Sequence, residues 1–148
     1  MRVSLDTNVL IYAQGVDDAE RQAVAENLTQ MLAVDGTFVS TQVIGELYNV
    51  LVRRGRTREI AKQAAEFWRA AFVLVETTSE LLSTAISLAS ESRLQIWDAV
   101  VLAAAAEARC DLLLSEDFQD GFAWQGVTVV NPFAEKPHKM LAKLLLGK

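Results

Sequence analysis

Five short apolar runs set the fold of this 148-residue chain: residues 3–5 (VSL), 38–39 (FV), 72–75 (FVLV), 112–114 (LLL) and 127–130 (VTVV). They are continuous rather than alternating, which is the pattern of strands buried on both faces of a parallel sheet. The stretches between them carry helical signals. One helix starts at or just after Asp6 and runs to about Gln14, with Gly15 ending it. Asp17 and Asp18 open a long one to about Val34, carrying Ala19, Val24, Leu28, Met31 and Leu32, and Asp35-Gly36 breaks it. Ser40 or Thr41 caps a third to about Arg54, before Gly55, and Thr57 caps a fourth to about Ala71. Two more are expected over 79–93 and 96–109, and Asn131-Pro132 stops the last strand. No internal repeat, low-complexity tract or linker divides the chain. The expectation is one three-layer α/β/α domain over 1–133 and a C-terminal tail over 134–148. That tail is expected to form a helix with Met140, Leu141, Leu144 and Leu145 inward.

In such folds ligands bind beyond the carboxyl ends of the strands. Asp6 follows the first strand directly, and Asp117 follows the fourth after Ser115 and Glu116. Glu46 lies in the helix after the second strand, and Asp98 in the first turn of "WDAVVLAAAAEA". Each acid also has an ordinary reading. Asp6 is a favoured helix cap, Asp98 suits the helix dipole, and Asp117 suits a turn. Glu46 borders an apolar helix face and could pair with Arg53. Gathered on one edge, however, several carboxylates repel one another and raise each other's pKa. A divalent cation removes that conflict, and oxygen ligands without a His or Cys cluster favour Mg²⁺ or Mn²⁺ over zinc. The lone His138 reads as a solvated tail residue.

Composition narrows the class. The hydrophobic fraction is 51% and mean hydropathy +0.20, high enough that a partner or second copy is expected to cover some apolar surface. The longest apolar stretch ends at Glu107 and is too short to span a bilayer. The first apolar run is cut by Asp6 and Asn8, unlike a signal peptide. A single cysteine, Cys110, excludes an internal disulfide framework and fits a reducing cytosol, so a cytoplasmic protein is expected. The net charge of −5 argues against nucleic-acid binding by bulk basic charge, but not against an acidic site that recruits metal ions.

The segments "SLDTNVLIYA", "STQVIGELYNVL", "IWDAVVLAAAAEA" and "LLLSEDFQDG", followed by "GVTVVNPF", stand in this order along residues 3–133. Together they resemble PIN-domain proteins, and within that family the VapC-type toxins. The resemblance implies a sheet of five parallel strands in the order 3-2-1-4-5, which makes strands one and four neighbours and sets Asp6 beside Asp117. It also implies an acidic pocket for Mg²⁺ or Mn²⁺. The family's acidic positions map onto Asp6, Glu46, Asp98 and Asp117, and its hydroxyl and amide positions onto Thr7, Asn8 and Ser115. Glu116 and Asp120 are acidic neighbours without an assigned role. The chain departs from the family pattern mainly in its tail, "AEKPHKMLAKLLLGK".

The activity so implied is metal-dependent hydrolysis of RNA phosphodiester bonds, as the toxin of a type II toxin–antitoxin pair. Asp6, Asp98 and Asp117 would be metal ligands, with Glu46 a ligand directly or through water. A cognate antitoxin and a homodimer are further family expectations. Two other features bear on partners. "RRGRTR" offers Arg53 and Arg54, together with Arg56 and Arg58, either as phosphate contacts or as solvated charges at a helix end. Phe67, Trp68 and Phe72 are expected in the core, with a contribution to a partner groove as the alternative. Alternatives are a PIN-like binding or processing protein without a toxin role, and an aspartate-based phosphatase. The phosphatase is disfavoured because Asn8 stands where its second Asp is expected. No GxxxxGK[ST] loop is present.

Overall fold

The computed structural model describes residues 1–147. The apolar runs form five parallel strands: β1 (Val3–Leu5), β2 (Thr37–Ser40), β3 (Val73–Val75), β4 (Leu112–Leu114) and β6 (Val127–Val130). A two-residue strand, β5 (Ala123–Trp124), adds antiparallel to the edge. The sheet order is β3-β2-β1-β4-β6-β5. The order expected for five parallel strands is therefore present, extended by one strand. That extension comes from a two-residue turn with Gln125 at φ 45° and Gly126 at φ 84°. Left-handed backbone at both positions matches the twist of a tight hairpin.

Among the described residues, seven helices flank the sheet: α1 (Thr7–Ala13), α2 (Ala19–Met31), α3 (Thr41–Arg53), α4 (Arg58–Ala71), α5 (Ser79–Ser92), α6 (Ile96–Glu107) and α7 (Lys139–Leu146). Side-chain caps fix most of their starts. Asp18, Ser40, Thr57 and Thr78 each accept a backbone N–H from the first turn of α2, α3, α4 and α5. α2 stops three residues earlier than expected. Leu32 is extended, and one 3-10 turn at Val34–Gly36 leads into β2. α6 is apolar all round because it is enclosed, with Ala99 to Ala105 all buried. It packs against α5 and α3 and over β2, β4 and β6.

Two side-chain expectations need correction. Phe67 is 61% exposed, whereas Trp68 is buried and Phe72 half-buried. The inward positions of α4 are Ala61, Ala64 and Trp68, a three-then-four spacing that turns Phe67 outward. His138 is not simply solvated. It is half-buried and caps α7, its Nδ1 accepting the Met140 N–H at 3.2 Å. Leu141 of α7 is buried, and Met140, Leu144 and Leu145 pack against the core. The Cys110 thiol is buried and pushed up to about 12 by desolvation, which keeps it an unreactive thiol. Among the described residues no helix is long and apolar enough to cross a membrane.

Candidate active site

The pairing of β1 with β4 assembles the centre of the site. Leu5 stands opposite Leu114, so the next residues along, Asp6 and Ser115, emerge side by side at the carboxyl end of the sheet. The ladder continues one step past the strands, with the Asp6 N–H donating to Leu114 O at 3.0 Å. Asp6 is only 3% exposed. Its Oδ1 accepts the Thr7 N–H at 2.7 Å and caps α1. Its Oδ2 accepts the Ser115 hydroxyl at 2.6 Å. Asp6 is thus both a cap and a buried charge. The residue directly beside it is Ser115 rather than Asp117, which arrives two positions later.

Ser115 aims that arrival. Its Oγ accepts the Asp117 N–H at 3.1 Å while its proton goes to Asp6. Asn8 closes the same corner: its Nδ2 lies 3.2 Å from both Ser115 Oγ and Asp117 Oδ2, and 3.5 Å from Asp6 Oδ2. The amide therefore turns its donor end toward the acids and leaves its buried Oδ1 without a partner among the described residues. Thr7 reaches the other way, donating through Oγ1 to Glu46 Oε2 at 2.9 Å. That bond ties α3 to the start of α1. Glu46 makes no ion pair with Arg53 among the described residues. Asp98 comes from the first turn of α6. Gln95 caps that turn through Oε1, accepting the N–H groups of Trp97 at 2.9 Å and Asp98 at 3.1 Å.

One carboxylate oxygen each from Asp6, Asp98 and Asp117 lie within 4.8 Å of one another. The electrostatic cost shows at Asp6 and Asp98. Burial pushes Asp6 up to about 7, opposed by the Ser115 and Thr7 hydrogen bonds and reinforced by the charges of Asp117 and Asp98. Burial likewise pushes Asp98 up to about 6, with added repulsion from Asp117 and Glu46. Three hard oxygen donors that strain against one another fit a small divalent cation, which would stabilise all three in ionised form. Glu46 stands outside this trio but close enough for its charge to act on Asp98.

The remaining acids and arginines have separate partners. Glu116 accepts the Tyr12 hydroxyl and the Arg21 Nε–H, the latter at 3.1 Å, and Arg21 also holds Asp18 at 2.8 Å. Asp120 accepts the Asn131 N–H at 2.9 Å. Neither belongs to the carboxylate trio. Arg54 pairs with Asp17 at 2.8 Å, whereas Arg53 is exposed and has no ion partner among the described residues. The Tyr12–Glu116–Arg21 cluster escapes sequence reasoning. Glu116 lies 95 positions from Arg21 and 104 from Tyr12, and no local motif links them.

Solved structures share this architecture. A toxin–antitoxin complex from Klebsiella pneumoniae superposes with a TM-score of 0.68 at 19% identity, covering 88% of this chain and 98% of that one. VapC20 of Mycobacterium tuberculosis, described as a toxin cleaving the sarcin-ricin loop, gives 0.66 at 22% identity, covering 78% and 91%. VapBC2 of Rickettsia felis, bound to a fragment of its promoter DNA, gives 0.63 at 13% identity, covering 87% and 97%. At these identities the likeness is one of fold. No curated protein matches this chain. The PIN domain model matches residues 3–122, a span that runs from β1 past Asp117 and includes Glu46 and Asp98, and the chain therefore belongs to the PIN-domain family.

Proposed function

We propose that this chain is a divalent-metal-dependent endoribonuclease acting as the toxin of a type II toxin–antitoxin pair. The observation that carries the reading is the trio of carboxylate oxygens within 4.8 Å, centred on an Asp6 that the fold keeps out of water. Asp6, Asp98 and Asp117 would hold Mg²⁺ or Mn²⁺. Held by these residues, such an ion would supply a water of lowered pKa and polarisation of a non-bridging phosphate oxygen. Glu46 or Asp98 orients the attacking water and takes its proton. The water oxygen bonds to phosphorus, the bond to the 3′-oxygen breaks, and the products carry a 5′-phosphate and a 3′-hydroxyl. Ser115 and Asn8 keep the carboxylates aimed, and Thr7 keeps Glu46 turned toward them. Of the two candidate arginines, Arg53 would meet a substrate phosphate, offsetting part of a net charge of −5, while Arg54 is held by Asp17.

The proposed partners are single-stranded RNA, a cognate antitoxin and a second copy of the chain, in the cytoplasm. Support for the antitoxin comes from similar structures that are themselves toxin–antitoxin complexes. The test is cleavage of end-labelled single-stranded RNA by the pure protein. Addition of Mn²⁺ is expected to give cleavage, EDTA to stop it, and Asp6→Asn to lower it by at least about a hundredfold, the scale of a catalytic group. Undiminished cleavage by Asp6→Asn in EDTA overturns the proposal.

A further inference from the structure

Beside the acidic trio, α1 and α3 border a cleft of about 440 Å³, lined by Asn8, Ile11, Tyr12, Val50 and Arg53, with the Asp17–Arg54 pair at its side. We infer that this cleft is a subsite for one nucleotide of single-stranded RNA next to the cleaved bond, an inference that rests on the ribonuclease reading above. Asn8 is the shared wall. Its amide touches Asp117 of the trio and Ser115 beside it, and Asn8 also lines the cleft, so an occupant there lies against the acidic site.

The lining suits a nucleotide in three respects. Its volume falls in the roughly 300–1,000 Å³ range of small-ligand sites, which is room for a base and sugar rather than several helical turns. Ile11, Val50 and the Tyr12 ring give a base apolar and aromatic surface, the means by which proteins hold unstacked bases. Tyr12 is already fixed there. Glu116 accepts its hydroxyl, and Phe133 packs edge-on with ring centres 5.0 Å apart. A ring held in advance loses little freedom on binding.

Charge is divided to match. Arg54 is committed to Asp17 at 2.8 Å, which neutralises the one carboxylate in the lining. Arg53 has no such commitment among the described residues and is the guanidinium left for a phosphate. The two adjacent arginines of the sequence therefore have different tasks, Arg54 structural and Arg53 binding.

Two variants of the full chain test this, Arg53→Gln and Val50→Trp, the second filling the cleft with an indole. Cleavage of a short single-stranded RNA in Mn²⁺ and anisotropy binding of the same RNA in EDTA are measured together. About tenfold increases in KM and Kd are expected for both variants, with kcat retained, the signature of lost uniform binding. The salt slope of binding should fall by about 0.7 for Arg53→Gln, one phosphate's worth for a single strand. If Val50→Trp does not fold, Arg53→Gln and its salt slope decide alone. Cleavage by wild type with unchanged KM, Kd and slope in the variants overturns the subsite and leaves the ribonuclease reading standing. RNA binding that weakens in the variants without any wild-type cleavage does the reverse. A wild type that neither binds nor cleaves RNA overturns both.

Discussion

Asp6 keeps its place because the backbone of Thr7, the hydroxyl of Ser115 and the amide of Asn8 all face it. These donors offset part of the cost of burying a carboxylate, and burial still raises its pKa to about 7. Ser115 is the most informative of the three because it acts on two acids. Its proton serves Asp6 and its lone pair receives the Asp117 N–H. Ser115→Ala leaves both carboxylates in the chain but removes what aims them. The expected result is a loss of about 10- to 100-fold in Mn²⁺ affinity, the usual effect of removing a partner behind a metal ligand. Calorimetric titration measures it. Affinity equal to wild type would show that Ser115 serves the fold alone.

At the scale of elements, the loop after β4 needs an anchor, since it carries Asp117 on an exposed stretch. Glu116 supplies it, bonding across the loop to Tyr12 of α1 and Arg21 of α2. Glu116→Ala breaks both bonds at once. It is expected to cost about 1–3 kcal/mol in urea denaturation, the range for hydrogen bonds to a half-buried charged group. Unchanged stability would mean that the loop is held by other contacts. The same loop shows what a sequence can and cannot disclose. β1, β2, β4 and β6 are readable because nearly every position in them is buried, which favours short, largely apolar runs. The trio acids were readable as candidates because topology puts strand ends and helix starts on one edge. Ser115's link to Asp6 follows once β1 is known to pair with β4. β5 was not readable: two residues carry no period, and the strand exists only because Gln125 and Gly126 both accept left-handed backbone. The Glu116 anchor was equally silent, since nothing near Glu116 in sequence names Arg21 or Tyr12. Phe67 was misplaced because clustered aromatics suggest a core, whereas helical phase sets Trp68 inward and Phe67 out.

For the whole molecule, the raised acids predict an unusual pH response in the metal-free protein. The ordinary value for either aspartate is 3.8, against about 7 for Asp6 and about 6 for Asp98 in the fold. The folded state therefore binds protons more tightly than the unfolded chain between those limits. Stability falls as pH rises wherever the folded state holds more protons, so the metal-free protein should weaken from about pH 4 to pH 7. The rise at Asp6 corresponds to at most about 4 kcal/mol, and half-buried Asp98 adds less. In a domain of this size that is a fall in Tm on the order of 10 °C. Mn²⁺ should reverse it, with the largest gain above pH 7, where the carboxylates are already ionised and no proton competes with the ion. Asp6→Asn supplies the control, because an amide keeps the shape of the carboxylate and cannot ionise. That variant should show a flatter descent, a higher metal-free Tm than wild type at pH 8, and a smaller Mn²⁺ gain. Thermal unfolding of both proteins from pH 4.5 to 8, in EDTA and in Mn²⁺, gives all three comparisons. Parallel pH profiles for the two proteins in EDTA would mean that Asp6 does not carry the charge strain. An equal Mn²⁺ gain in both would place the ion elsewhere.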